Sequence, residues 1–183
     1  MKGSATDRTS PDFVVSGVRR IALTGDSAGG NLALGLASRV TSEAVSTNAT
    51  LVGIAVLSPV TDLTLSSATY DTRADADPFF TRLQVAELVH SYLGSADAKH
   101  PFASPLHSQL AGMPPVRIHV GDDEVLLDDS LRYAERAVTA SVDARVDVWM
   151  GMPHGFPASI GKLKAAAPAL DALGAFLTER LGG

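Results

Sequence analysis

One hexapeptide limits what this chain can fold into more than any other stretch. Gly25-Asp26-Ser27-Ala28-Gly29-Gly30 follows the short apolar run Arg20-Ile21-Ala22-Leu23-Thr24 and precedes Asn31-Leu32-Ala33-Leu34-Gly35-Leu36-Ala37-Ser38-Arg39-Val40. The first flank is strand-like and the second is helical in composition. A G-x-S-x-G between a strand and a helix is the pattern of a sharp turn that lifts its serine above the end of a sheet. Such tightness predicts that Gly25 and Gly29 cannot carry a Cβ without clashing. It also predicts a strained backbone at Ser27, with the hydroxyl projecting outward. The competing reading is a glycine-rich turn whose serine only caps the helix that follows.

The rest of the chain alternates in the same way. Leu51-Val52-Gly53-Ile54-Ala55-Val56-Leu57 is a second buried-strand candidate, ended by Ser58-Pro59, and Val116-Arg117-Ile118-His119-Val120 is a third. Arg145-Val146-Asp147-Val148-Trp149 alternates, so it is expected to be less buried. Helices are predicted over Ala28 to Val40, about Thr81 to Leu93 with a Thr81 cap, and about Asp128 to Ala140. In the last of these, Leu127, Leu131, Ala134 and Val138 recur at helical spacing. A terminal helix places Leu163, Ala166, Leu170, Leu173, Phe176, Leu177 and Leu181 on one stripe, with Pro168 either starting or kinking it. About four strands and four main helices in alternation imply an α/β fold, a parallel sheet with helices on both faces.

In such sheets functional residues gather at the carboxyl ends of the strands. After the third strand comes Gly121-Asp122-Asp123-Glu124-Val125-Leu126-Leu127-Asp128-Asp129, with five carboxylates between positions 122 and 129. After the fourth comes Gly151-Met152-Pro153-His154-Gly155-Phe156. A serine alcohol is a poor nucleophile until a base takes its proton. An imidazole does so near neutral pH when a carboxylate fixes its tautomer and stabilises its charged form. His154 has the right element and order, whereas His90, His100 and His107 fall in helix or loop positions and His119 lies inside a strand, where packing is expected. Among the acids, Asp122, Asp123 and Glu124 sit near the strand end. Asp128 and Asp129 fit the solvated opening of a helix, and Asp62 is a distant rival.

Composition narrows the class. The chain has 183 residues, enough for one domain with a sizeable core, and is 45% hydrophobic. No apolar run approaches the roughly 20 residues that span a bilayer. The stretch Met1 to Asp12 is polar and lacks a signal-peptide core, so a cytoplasmic location is expected. Without cysteine there are no disulfides, thiolate metal sites or thiol nucleophile. A formal net charge of −5 argues against general nucleic-acid binding. No His/Asp/Glu cluster has metal-site spacing, so no metal or cofactor is expected.

Several further motifs fall in order. They are Ser58-Pro59-Val60-Thr61-Asp62-Leu63, Asp75-Ala76-Asp77-Pro78-Phe79, Ala103-Ser104-Pro105-Leu106 and Trp149-Met150-Gly151-Met152-Pro153-His154. With the serine turn and the carboxylate cluster, they make the chain resemble the carboxyl-terminal portion of a hormone-sensitive-lipase-type (bacterial family IV) esterase of the α/β-hydrolase superfamily. The resemblance runs from about Ile21 to the end. It implies a carboxylic ester hydrolase acting on small, short-chain esters through an acyl-enzyme. Ser27 would be the nucleophile, His154 the base, and the Ala28 N–H an oxyanion donor. In many members the acid opens an Asp-Pro-Leu-x-Asp motif; matching it here puts Glu124 in the acid's place, with Asp123 the alternative.

Two departures qualify this. The upstream His-Gly-Gly-Gly loop that completes the family's oxyanion hole does not occur in the chain. Only 26 residues precede Ser27, so the expectation is a single, truncated α/β-hydrolase domain over 1–183 that lacks the usual first strands and cap, with a polar segment over 1–19. A weak or inactive binding or scaffold domain is therefore the alternative function. By resemblance the strand at Ile21 to Thr24 belongs in mid-sheet. Left uncovered, its edge and the adjoining helix would drive homo-oligomer formation near Ile21, Leu23 and the Leu32–Leu36 segment.

Overall fold

The computed structural model describes residues 17–43 and 48–183. Four strands, β1 (Arg20–Asp26), β2 (Thr50–Leu57), β3 (Val116–Gly121) and β4 (Ala144–Trp149), lie side by side in chain order and all run parallel. Parallel neighbours need long crossovers, and here these carry helices. Helix α1 (Ala28–Ser42) joins β1 to β2, and α4 (Leu127–Thr139) joins β3 to β4. The longest crossover carries α2 (Thr69–Thr72) and α3 (Arg82–Leu93), and α5 (Ala166–Leu181) follows β4.

The apolar run of β2 shows why the sheet is covered on both sides. Ile54 and Val56 point into one core with Ala33, Leu34 and Ala37 of α1 and Tyr133 and Ala137 of α4. Ala55, between them, packs on the other face against Leu173 and Phe176 of α5. Successive residues of a strand point to opposite faces, so a continuous apolar strand suits a two-sided burial. Edge strand β4 has no fully buried residue, which agrees with its alternating sequence. Strand β1 is also an edge among the described residues, paired only with β2, and it too has no buried residue. Most of the polar amino-terminal segment lies outside the described residues. Among those described, no helix is long and apolar enough to cross a membrane.

Helix ends follow local chemistry. Thr81 and Gln84 form a reciprocal capping box at the start of α3, and Gly94 closes it at φ 55°. Pro168 falls in the first turn of α5, where its missing N–H costs no helical bond, so it begins the helix rather than kinking it. The expected stripe of α4 is off by part of a turn. Its buried residues are Leu127, Asp129, Ser130, Tyr133, Ala134 and Ala137, whereas Leu131 and Val138 are exposed. The large Tyr133 ring is fully buried, and its demand for core volume sets the helix rotation.

The opening of α4 also corrects the solvated role expected of Asp129. Its carboxylate is buried and accepts hydrogen bonds from the N–H groups of Thr61 (2.7 Å) and Asp62 (3.0 Å) and from the Ser67 hydroxyl (2.5 Å). Burial pushes its pKa up to about 6 despite these donors. Asp62, next to it, is equally buried but ionises easily. Burial would raise its pKa, yet hydrogen bonds from Ser66 and Thr64 and the charge of Arg132 bring it down to about 2.

A depressed carboxylate contributes stability above its unfolded pKa near 3.8 and loses it as pH falls towards about 2. A shift of this size is worth roughly 2 kcal/mol. Asp62→Asn should therefore destabilise the fold by about that amount in urea unfolding at pH 5, with the deficit shrinking towards pH 2. A deficit that stays constant across this range would assign the loss to packing instead.

Candidate active site

All four strands point their carboxyl ends the same way, and the exits are laced together. The N–H of Ser27, leaving β1, donates to Leu57 O at the end of β2 (2.9 Å). Leaving β2, Ser58 donates to His119 O in β3 (2.8 Å), and Asp122, leaving β3, donates to Trp149 O in β4 (3.2 Å). The chemistry-bearing residues hang from this row.

At the first exit the chain reverses sharply. A Cβ on Gly25 would lie 2.2 Å from Gly29 O, so no side chain fits there. Ser27 sits at φ 54°, ψ −116°, a conformation that costs a non-glycine residue free energy. Its side chain makes no capping hydrogen bond to α1, so the helix-cap reading does not describe it. The requirement at Gly29 is not found, because a Cβ there meets nothing within 4 Å outside its own helix. The crowded neighbour is Gly30, whose Cβ would come within 2.9 Å of the Pro59 side chain. Helix α1 approaches the turn after β2 at that point, and Asn31 clamps it by donating to Val60 O and Ala103 O, each at 2.8 Å.

The third exit brings acid and histidine together. A Cβ on Gly121 would fall 1.9 Å from Met152 O, so only glycine lets β3 pass this close to the loop after β4. Glu124 then turns back and is fully buried. Its Oε1 accepts from Gly121 N (2.5 Å) and from the Ser58 hydroxyl (2.7 Å), and its Oε2 lies 2.8 Å from His154 Nδ1. With Nδ1–H donated to the carboxylate, Nε2 is left as the proton-accepting nitrogen.

None of the other carboxylates considered bonds to His154. Asp122 Oδ1 accepts from Gly151 N (2.5 Å), Asp123 donates its N–H to Met152 O (3.2 Å), and Asp62 pairs with Arg132 and His107. His119 is buried against Asp147 and Trp149, and burial lowers its pKa against the pull of Asp147. Burial of His154 also opposes its charging. The hydrogen bond and charge of Glu124, with the further charges of Asp26 and Asp77, outweigh that and raise its pKa.

Among the described residues no hydrogen bond joins Ser27 to His154; Phe80 connects their surroundings. Its ring stands edge-on to His154, with centroids 5.0 Å apart at 87°. The same ring lines a cavity of about 250 Å³ shared with Ser27 and Ala28 from the turn and with Val85, Leu88, Val89 and Tyr92 from α3. The N–H of Ala28 opens α1, where amides have no partner inside the helix. Sequence reasoning gave Ser58 no part in the site. Its one signal is position, because Ser58-Pro59 follows directly on the carboxyl end of β2. Among the described residues no group of three or more His, Asp or Glu could hold a metal ion.

Residues 13–158 match the alpha/beta hydrolase fold family, and the chain belongs to it. It is 32% identical over 163 residues to an acetyl-hydrolase of Streptomyces hygroscopicus, covering 89% of this chain and 54% of that protein. An esterase of Acinetobacter venetianus is 33% identical over 171 residues, covering 91% of this chain and 55% of the relative. A solved esterase of the bacterial hormone-sensitive lipase family superposes with a TM-score of 0.84 at 34% identity, over 88% of this chain and 54% of that one. The structure of EstE5 soaked by p-nitrophenyl butyrate gives a TM-score of 0.82 at 34% identity, over 88% of this chain and 53% of that one. The chain thus spans about half the length of the curated relatives it matches.

The contact between acid and histidine has a direct readout. Glu124→Gln should lower the His154 pKa, followed by NMR titration of the ring, because it removes the main charge that favours imidazolium. Asp123→Asn should leave it nearly unchanged. The opposite ranking would move the acid to Asp123.

Proposed function

We propose that the protein hydrolyses short-chain carboxylic esters by a serine mechanism. The observation that carries this reading is the buried Glu124–His154 pair, set at the same sheet end as the strained Ser27 turn. Ser27 Oγ attacks the ester carbonyl while His154 Nε2 takes its proton, and Glu124 holds Nδ1–H and stabilises the imidazolium. The carbonyl oxygen gains charge beside the Ala28 N–H at the positive end of α1. His154 then protonates the departing alcohol, and water repeats the sequence on the acyl-enzyme. The apolar cavity suits an alkyl group of the ester, and the esterase names of the relatives support the substrate class. Losing one oxyanion donor costs about 10²–10³ in turnover, so without a His-Gly-Gly-Gly loop the chain should be a slow catalyst. A second reading, ligand binding without turnover, would use the same apolar cavity.

Weak hydrolysis of p-nitrophenyl butyrate is the expected result, abolished in both Ser27→Ala and His154→Ala. The base must be neutral to act, so a raised His154 pKa places the acidic limb of kcat/KM above the ordinary value of 6.5. Activity that survives Ser27→Ala would remove the nucleophile assignment. Binding of the ester without turnover would favour the second reading.

We also propose that the chain self-associates, with a second copy as the occupant of the β1 edge. Ile21 in β1 is 42% exposed, Leu36 on the adjoining α1 is 51% exposed, and among the described residues β1 is paired only with β2, which leaves a row of backbone groups on its other side. Two such edges pair about a two-fold axis. Sedimentation should show a concentration-dependent dimer or larger species; a clean monomer at every concentration would overturn this.

A further inference from the structure

Apart from its charge near His154, the segment Asp75-Ala76-Asp77-Pro78-Phe79 has no place in the mechanism above, yet it contains a buried carboxylate. Asp77 is 8% exposed and lies between α2 and α3. Its Oδ1 accepts from the N–H groups of Phe79 (2.8 Å) and Phe80 (3.0 Å). Its Oδ2 accepts from the N–H of Val125 (2.9 Å), 48 positions away. Among the described residues no Lys, Arg or His pairs with it, so three backbone dipoles hold its charge.

Both groups that orient the His154 ring start from these bonds. Val125 directly follows Glu124, which holds Nδ1. Phe80 is the ring standing edge-on to the imidazole, and it also lines the cavity beside Ser27. We propose that Asp77 is a positioning residue of the site: one buried carboxylate bridges the Phe79–Phe80 backbone to the Glu124–Val125 turn and so fixes the imidazole and the cavity wall together. The consequence for turnover rests on the esterase reading; the consequence for the imidazole does not. The charged groups that face His154 are Glu124, Asp26 and Asp77, all negative, so removing one favours the neutral ring.

The substitutions separate bridge from turn. In Asp77→Asn the carboxamide oxygen still accepts from Phe79 and Phe80, but its NH₂ meets the Val125 N–H donor to donor, and the charge is gone. Asp77→Ser keeps an acceptor for the local turn and reaches Val125 less well; it is read in the same way if the Asn variant does not fold. The control is Asp75→Asn, an exposed neighbour with the same change in net charge. NMR titration of the His154 ring and kcat with p-nitrophenyl butyrate are measured on the full chain. In Asp77→Asn the His154 midpoint should fall and kcat should drop by about 10²-fold, the scale of a small misplacement of catalytic groups. Asp75→Asn should change neither. A His154 midpoint unmoved in Asp77→Asn, or moved equally in Asp75→Asn, overturns the proposal. If the parent chain shows no turnover, the esterase reading fails and the titration alone decides the role of Asp77.

Discussion

A carboxylate taken fully out of water must be surrounded by donors, and at Glu124 this need organises the whole upper end of the sheet. Its three donors come from three separate strand exits: the Ser58 hydroxyl after β2, the Gly121 N–H at the end of β3, and the His154 ring after β4. None of these contacts is local in sequence except that of Gly121. The buried charge therefore works as a tie as well as a partner for the imidazole. With any side chain at Gly121, the loop carrying His154 could not come near enough to complete the set.

The loops at this end share that solution in different forms. Asp62 is neutralised by Arg132 and hydroxyls, Asp129 is held by two backbone N–H groups and a serine, and Asp77 is held by three N–H groups. Below them the core is almost wholly apolar, built from Ile54, Val56, Val116 and Ile118 against α1 and α4. Apolar packing sets the layers, and polar bonds with fixed directions set the loops. Directional bonds suit loops whose side chains must be placed within fractions of an ångström.

This division explains what could be read from the chain. The four strands and four main helices were legible because their periodicity is local, down to the Thr81 cap of α3. The sharp turn at Ser27 was legible from its glycine spacing, but the role given to Gly29 belongs to Gly30. What crowds Gly30 is Pro59, a residue brought close only by the fold. The rotation of α4 depended on Tyr133 finding core volume, which spacing of Leu and Val cannot reveal. Five clustered carboxylates look alike in composition. Which one meets His154 is decided by the turn after Gly121, so chain position alone leaves Asp123 and Glu124 both open. Ser58, Asp77 and Asp129 act across 66, 48 and 68 positions, and no local pattern announces such partners.

The row of bonds from Ser27 to Leu57, Ser58 to His119 and Asp122 to Trp149 has a mechanical side. Each strand's exit is latched to the last part of the next, so the four ends form a staircase whose steps cannot slide independently. A push on the rim of β4 is felt at the far side of the sheet without any long-range charge or moving loop. Shear along the strands is thereby resisted at the sheet end that carries Ser27, Glu124 and His154. The loops above the staircase are held by their own side-chain bonds and rise from footings that stay in place.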